Sequence, residues 1–586
     1  MRQWMVAAKK ADFYVIAEKF HVDPVVARII RNREVIGEKN IRIYLGGNLS
    51  DLSDPHQMKD MDQLVEILAQ KIRKQVHIRI IGDYDVDGVT SSHLFLTALR
   101  RVGAKVDVVI PHRIQDGYGL SLHLLQQAKE DGVDTILTCD NGIAAIDEIA
   151  WAKAQKMTVL VTDHHAVPFE EHEGRRTEKK SLADAVVNPH QQDCGYPYKE
   201  LCGAGVAWNV IRVLYENYDM DKREAEDLLD FVAMATVCDV MSLTGENRIL
   251  VKEGLKRIRH TKNIGLQALM QACNVQPENI SAYHFGYVLG PCVNATGRLD
   301  TARHALRLFE TGQETEAEEI ARDLVDLNQE RKELTLQGVE MAKKLCEEGG
   351  YENDPVLVLF LPDVHESIAG LIAGRIREMY NRPVFVLTRG EEGVKGSGRS
   401  TENYSMYENM CGCAELFTKF GGHPMAAGLS LPEENVEKFR RKINENCPLT
   451  VEEVCSDIHI DMAMPVGYAS TELVHQFALL EPFGKDNPSP LFADRNLSIS
   501  RMWLIGKNRN VLRMSVLSEY GQPVPVIFFG DVETLFAYFT EKFGQEEVEN
   551  ALHGRKNRIL FSMVYTAKID FYQGNENLQL EMKYYR

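Results

Sequence analysis

The stretch Ile80-Ile81-Gly82-Asp83-Tyr84-Asp85-Val86-Asp87-Gly88-Val89-Thr90-Ser91 places three carboxylates at alternating positions. In an extended segment, side chains two apart share a face, so Asp83, Asp85 and Asp87 are expected to point the same way. Three like charges that close raise one another's pKa unless a cation neutralises them. The chemistry that suits them is the binding of hard divalent metals. A calcium loop also opens Asp-x-Asp-x-Asp-Gly, but its twelfth position here is Leu94, where a bidentate Glu is needed. An acidic, solvated turn without a ligand is the other alternative.

Further along stand Asp140, in Thr138-Cys139-Asp140-Asn141-Gly142; the run Asp163-His164-His165; and Asp239, in Ala235-Thr236-Val237-Cys238-Asp239. Taken singly, each has a bland explanation, a helix N-cap for the aspartates or a polar turn for the histidines. Asp83, Asp85, Asp87, Asp140 and Asp239 with the two histidines make five Asp and two His on successive strand ends, an inventory that suits a two-metal site. Mixed oxygen and nitrogen donors favour Mn²⁺ or Mg²⁺ over thiolate-bound zinc. Adjacent histidines point to opposite faces of an extended chain, so one is expected on metal and the other towards substrate.

These residues need strands to carry them. His77–Ile81, Val106–Ile110, Thr135–Thr138, Thr158–Val161 and Ala185–Val187 read as strands, with helices at Ser91–Arg101, Ser121–Glu130 and Ala144–Gln155 between them. That alternation predicts an α/β fold with a parallel sheet. Glu314–Glu348 contains no Pro and reads as one helix of roughly 50 Å. Its apolar stripe suits a connector between two lobes. A second α/β unit follows: strands at Val356–Leu361 and Val384–Leu387, a helix at Ser367–Tyr380, and a turn at Gly396–Arg399. From about Val451 short alternating strands predominate, suggesting a small β-barrel. The expected divisions are 1–75 helical, 76–300 catalytic, 301–345 connecting helix, 346–450 second α/β domain and 451–586 barrel.

At 586 residues the chain is too long for a single core. A net charge of −18 argues against a protein that merely coats nucleic acid, without excluding a local basic groove. No apolar run approaches a membrane span, and the N-terminus lacks the apolar core of a signal peptide. Eleven scattered cysteines without a CxxC pair fit reduced cytoplasmic thiols. A cytoplasmic monomer is expected.

The segments around Asp83–Gly88, Cys139–Gly142, Asp163–His165 and Asp239 resemble successive motifs of the DHH phosphoesterase superfamily. Asp51-Leu52-Ser53-Asp54-Pro55, the Pro111–Leu120 segment, Asn294-Ala295-Thr296-Gly297-Arg298, Gly396-Ser397-Gly398-Arg399, Gly421-Gly422-His423-Pro424 and Pro482–Pro488 narrow the resemblance to its RecJ-like exonucleases. The resemblance implies that Asp85 and Asp87 each hold one of two ions, that Asp140 bridges them, and that His164 and Asp239 complete the ligand set of the second ion. Asp83 is implied as a ligand or a group just behind one, and His165 as the contact to the scissile phosphate. It further implies a 5′-end anion pocket at Arg113, Arg298, Ser397 and Arg399, with His423 as a backbone contact. Guanidinium forks and a Gly-flanked hydroxyl suit a terminal phosphate. Arg375 and Arg377 would belong to the same groove; His365 carries over less directly, because Glu366 and Ser367 follow it where the family often has Gly or Pro.

The tail resembles the OB-fold that RecJ-like enzymes use for single strands. Trp503, Phe528 and Phe529 are its candidate stacking aromatics, and Lys507, Arg509 and Arg513 its candidate phosphate contacts. The implied activity is metal-dependent hydrolysis of single-stranded DNA from the 5′ end, releasing mononucleotides, in repair and recombination. A helicase and a single-strand-binding protein are the implied partners. Two alternatives remain: a phosphodiesterase of short oligoribonucleotides or cyclic dinucleotides, and a non-catalytic replication subunit.

Overall fold

The β-branched strand His77–Ile81 lies inside a five-stranded parallel sheet, buried on both faces, as a Val/Ile-rich strand without alternation requires. The sheet order is Lys105–Val109, His77–Ile81, Thr135–Cys139, Thr158–Thr162, Ala185–Val187. The chain leaves His77–Ile81 towards one edge and returns to add Thr135–Cys139 on the other side. These two neighbours therefore flank the topological switch point, where open α/β sheets leave a crevice at their carboxyl ends. Ile81 pairs in register with Thr138, so the strands end level and Asp83 and Asp140 emerge side by side. This computed structural model describes all residues except 1–2, 114–115, 118, 173–174, 300, 391–392, 507–508 and 573, and leaves aside the side chains of His172, Arg175 and Tyr572.

The helix expected from Ser91 begins at Val86 and runs to Arg101, with Asp85 as its N-cap. The expectation that Asp83, Asp85 and Asp87 share one extended face is therefore corrected: Asp85 caps the helix from an extended backbone, Asp87 lies in the first helical turn, and the two fall in different clusters of carboxylates. A carboxylate at an N-terminus is favoured by the exposed N–H groups, which explains why the helix starts there.

Glu314–Glu348 forms the long helix. Beyond it, a second five-stranded sheet runs in the order Lys419–His423, Ala426–Leu431, Gly393–Arg399, Val384–Gly390, Leu357–Phe360, with only the last pair parallel. Gly396–Arg399, expected as a turn, lies inside a strand. The helix Ala369–Tyr380 packs on this sheet, and Gly370 permits the approach: a Cβ there would sit 2.8 Å from Ser397 Oγ. Residues 48–456 form one compact unit.

Residues 3–47 and 457–586 form the other. Its strands Phe492–Ile505, Val511–Leu517, Pro523–Phe528, Asn575–Tyr585 and Leu560–Tyr572 follow one another around the sheet, and the last pairs back on the first. Closure removes the free edges, and this order, with helices between the third and fourth strands in sequence, is that of a five-stranded OB barrel. The strand Trp4–Val6 pairs parallel to Ile458–Ile460, and Arg33 forks onto Asp461 at 2.7 and 3.0 Å. Val25, Val26, Ile29 and Ile30 are buried in the same core as Leu473, Phe492 and Tyr565.

Candidate active site

Asp83, Asp85 and Asp140 each offer a carboxylate oxygen, all within 4.8 Å of one another. Asp87, His164 and Asp239 form a second such group, and Asp140, His164 and His165 a third. Asp140 and His164 are thus shared between neighbouring groups, the layout a pair of adjacent cations needs. His164 Nε2 stands 3.1 Å from Asp140 Oδ1, 3.5 Å from Asp239 Oδ2 and 3.7 Å from Asp87 Oδ2.

The surrounding chain holds each group in place. Asp87 Oδ2 accepts from the Gly203 amide at 2.6 Å and Oδ1 from the Ala204 amide at 2.7 Å, at the start of the helix Gly203–Asn217. Gly203 must be bare, since a Cβ there would lie 2.6 Å from Asp140 Cβ. A Cβ on Gly88 would meet the Asp83 amide nitrogen at 2.4 Å, so the turn closes only around glycine. Asp140 itself has φ +60°, a conformation Asp tolerates better than most residues but still a strained one. Asp239 is not on a strand end, contrary to expectation. It is the C-cap of the helix Leu229–Cys238, followed by Val240 at φ +55°. A carboxylate at the negative end of a helix, beside a β-branched residue in the left-handed region, is doubly disfavoured unless a cation compensates.

The electrostatics point the same way. Asp83, Asp87, Asp140 and His164 are buried, and Asp85 is half-buried. Burial first, then the charges of Asp87, Asp85, Asp239 and Asp83, push the Asp140 carboxyl well above its ordinary range. Burial and Asp85 do the same to Asp83, and burial and Asp87 raise Asp85. Asp83 Oδ1 is buried without a hydrogen-bond partner. Five carboxylates and an imidazole gathered so tightly, with a buried oxygen left unsatisfied, fit divalent cations with oxygen and nitrogen ligands.

His165 is oriented by a residue not anticipated as functional. Asp163 is buried; its Oδ1 accepts from the amides of His164 and His165 and lies 2.8 Å from His165 Nδ1, while Oδ2 accepts from the Ile143 amide. Burial opposes the imidazolium, but the Asp163 contact and the charges of Asp239 and Asp87 outweigh it and push His165 up to about 9. The signal was present in the run Asp163-His164-His165: a carboxylate two residues before a histidine can orient its ring.

Arg113, Arg298, Ser397 and Arg399 line a single cavity of about 530 Å³, together with Tyr84. Tyr84 stands between the metal-facing Asp83 and Asp85, and the Arg113 guanidinium lies 5.0 Å from its ring centre. Arg298 donates to the Ser367 carbonyl at 2.6 Å, and Arg399 to the Gly398 carbonyl at 2.7 Å. Burial and the neighbouring Arg113, Arg331 and Arg399 pull Arg298 down to about 10. Among the described residues no carboxylate pairs with Arg113, Arg298 or Arg399, so the charge at this end of the cavity suits an anion.

Other expected contacts lie elsewhere. His423 is exposed at the end of its strand and does not line the cavity; Arg375 is exposed beside Glu378, at 3.5 Å. His365 caps the turn before Ala369 through Ser367. In the barrel, Trp503 is half-buried between Arg501 and Arg513, at 5.7 and 5.8 Å, which leaves part of its ring available. Arg509 is exposed, as is Phe529, whereas Phe528 is buried in the core and cannot stack on a base. Lys507 lies outside the described residues.

The DHH family N-terminal domain matches residues 77–236, the DHHA1 domain 353–447 and the RecJ OB domain 460–584. The single-stranded-DNA-specific exonuclease RecJ of Haemophilus influenzae is 32% identical over 582 residues, covering 96% of both chains. The chain belongs to the RecJ family. RecJ of Bacillus subtilis is 32% identical over 511 residues, 86% of this chain and 63% of that relative's length. The RecJ crystal structure from Thermus thermophilus, in complex with Mn²⁺, superposes with a TM-score of 0.81 at 25% identity, covering 100% of this chain and 79% of that one. The α/β fold with its parallel-sheet DHH domain, DHHA1 domain and OB barrel is thus a RecJ fold.

Proposed function

We propose that this RecJ-family chain is a metal-dependent exonuclease that hydrolyses single-stranded DNA from its 5′ end and releases 5′-mononucleotides. The observation that carries this reading is the position of Tyr84. It lines the anion cavity while its two chain neighbours, Asp83 and Asp85, face the metal cluster, so one short turn serves both the anchor and the cutting centre. A terminal phosphate held by Arg113, Arg298, Ser397 and Arg399 would leave the next phosphodiester beside the carboxylates, one nucleotide along.

Asp83, Asp85 and Asp140 would hold one ion and Asp87, His164 and Asp239 the other, with Asp140 facing both. Mn²⁺ or Mg²⁺ held by these residues would supply a hydroxide at neutral pH and would neutralise charge on the phosphoryl oxygens. The backbone amides of Gly203 and Ala204 fix the Asp87 carboxylate, so that ligand does not reorganise during turnover. Asp163 holds Nδ1 of His165, which leaves Nε2 to donate to a non-bridging oxygen of the scissile phosphate. The guanidinium groups orient the strand, and the carboxylate cluster repels any part of it not accompanied by cations.

Trp503, Arg501 and Arg513 would add a stacking and phosphate contact on the barrel. A helicase to separate strands and a single-strand-binding protein to keep them apart are the partners such a substrate calls for. All eleven cysteines are free, which suits a reducing cytoplasm, and no described helix is long and apolar enough to cross a membrane. We propose that the chain acts as a monomer.

Single strands labelled at the 5′ or the 3′ end, incubated with the protein and each metal, test the reading. Immediate release of the 5′ label as a mononucleotide, dependent on Mn²⁺ or Mg²⁺, is expected. Release of the 3′ label first would overturn it.

A further inference from the structure

The anion cavity differs from one end to the other. Along Gly393–Arg399, the side chains of Lys395, Ser397 and Arg399 alternate onto one face, successive members about 7 Å apart. The register extends these rows across the sheet: Ser397 lies opposite Gly428, and Lys395 opposite Ser430, which pairs on its other side with Lys419. At the Arg399 end, three guanidinium groups converge without a carboxylate. At the Lys395 end stands Glu366, the one carboxylate among the described lining residues. Its Oε2 lies 2.8 Å from Lys395 Nζ and lies against the hairpin at Gly390, where an added Cβ would come within 3.3 Å of it.

One end therefore carries unmatched positive charge, while at the other Lys395 is already matched and an acceptor-only group is presented. Lys419, the remaining cation, is exposed at the rim. We propose that Glu366 is a specificity-determining residue, restricting the cavity to a single terminal phosphate and disfavouring strands whose 5′ end carries a di- or triphosphate. The proposal rests on reading the cavity as the 5′-phosphate anchor. A second phosphoryl group extending from that anchor towards Lys395 meets an ionised carboxylate, which can neither donate to its oxygens nor tolerate their charge; such built-in repulsion is how a site rejects a near relative of its ligand. Ser367, the next residue, holds Arg298 through its carbonyl, so Glu366 is fixed relative to the anchor by the chain itself.

The test is kcat/KM of the full-length protein on one DNA sequence with a 5′-monophosphate, 5′-triphosphate or 5′-hydroxyl end, for wild type, Glu366→Gln and Lys395→Met. Wild type should favour the monophosphate over the triphosphate by roughly tenfold or more, the scale of one short-range charge repulsion. Glu366→Gln should bring that ratio near unity, chiefly through KM for the triphosphate, and Lys395→Met, which unmasks the carboxylate, should widen it. A wild type that cuts monophosphate and hydroxyl ends equally overturns the anchor reading. A wild type that prefers monophosphate to hydroxyl but treats triphosphate alike overturns the role of Glu366 alone. So does a Glu366→Gln variant that slows all three substrates in proportion, the result a merely structural residue would give.

Discussion

His165 Nδ1 lies 2.8 Å from Asp163 Oδ1, and both oxygens of Asp163 are held by backbone amides. The carboxylate is thus fixed by the chain and in turn fixes the ring, the relation by which an orienting acid sets the tautomer of a working histidine. It stands outside the three ligand groups, so its removal should separate chemistry from metal binding. Asp163→Asn is expected to lower kcat by on the order of 10²-fold, the lower range for a positioned proton donor, with the Mn²⁺ dependence of activity little changed. Steady-state kinetics across a Mn²⁺ titration measure both; a loss rescued by more metal would assign Asp163 to ion binding instead.

Asp140 is raised well above the ordinary carboxyl range by burial and by the charges of Asp87, Asp85, Asp239 and Asp83, and it lies beside both ligand groups. Asp140→Asn keeps the size and tolerates the left-handed backbone, so it should abolish cleavage, by at least about 10³-fold if metal-assisted catalysis is lost. The same change removes one of several repelling charges, so the metal-free variant should melt no lower than metal-free wild type. Calorimetry with and without Mn²⁺ checks this: wild type should gain stability on adding Mn²⁺ and the variant should gain much less.

Much of this centre could be read from the chain. Strand-then-Asp patterns at Ile81 and Cys139 are local, and they led to the switch point. Asp87 and Asp239 lie on helices rather than strand ends, because a first helical turn and a helix terminus differ from a strand end by only a few residues of backbone. The pairing of Trp4–Val6 with Ile458–Ile460 has no local signature at all. It joins segments some 450 residues apart, through contacts that periodicity does not encode. Asp163 was visible as part of a motif, but its partner amide on Ile143 comes from another strand end, and its role emerged only from that geometry.

Arg399 lines the cavity, and among the described residues no carboxylate pairs with its guanidinium. Arg399→Ala should raise KM for 5′-phosphorylated strands by roughly tenfold, the value of one charge-assisted contact, and leave 5′-hydroxyl strands nearly unaffected. An equal loss on both ends would show that the residue supports the sheet rather than the phosphate.

Asp230 is buried, accepting from the Phe231 amide and from Thr261 Oγ1, and burial pushes it up to about 6 from an ordinary 3.8. Because the folded pKa is the higher one, the fold favours the protonated form: this contribution is complete below about pH 4 and is lost as the pH rises through 6. The cost above pH 6 is about 3 kcal/mol for a shift of this size. Asp230→Asn should therefore melt higher than wild type at pH 7.5, with the difference shrinking towards pH 4.5. A difference that does not vary with pH would place the ionisation elsewhere.

Residues 3–47 share a core with 457–586. Removing 457–586 alone should expose Val25, Val26, Ile29 and Ile30 and yield an aggregating protein. Removing both segments should leave 48–456 soluble, able to cut short strands but with weaker affinity for long ones. Size-exclusion chromatography and strand-binding titrations distinguish the two truncations; equal solubility would show that the N-terminal helices do not depend on the barrel.

The pairing of two ligand groups through Asp140 is tested most directly by anomalous diffraction from crystals grown in Mn²⁺. Two peaks are predicted, one among Asp83, Asp85 and Asp140 and one among Asp87, His164 and Asp239. A single peak, or none within reach of Asp140, would contradict the account.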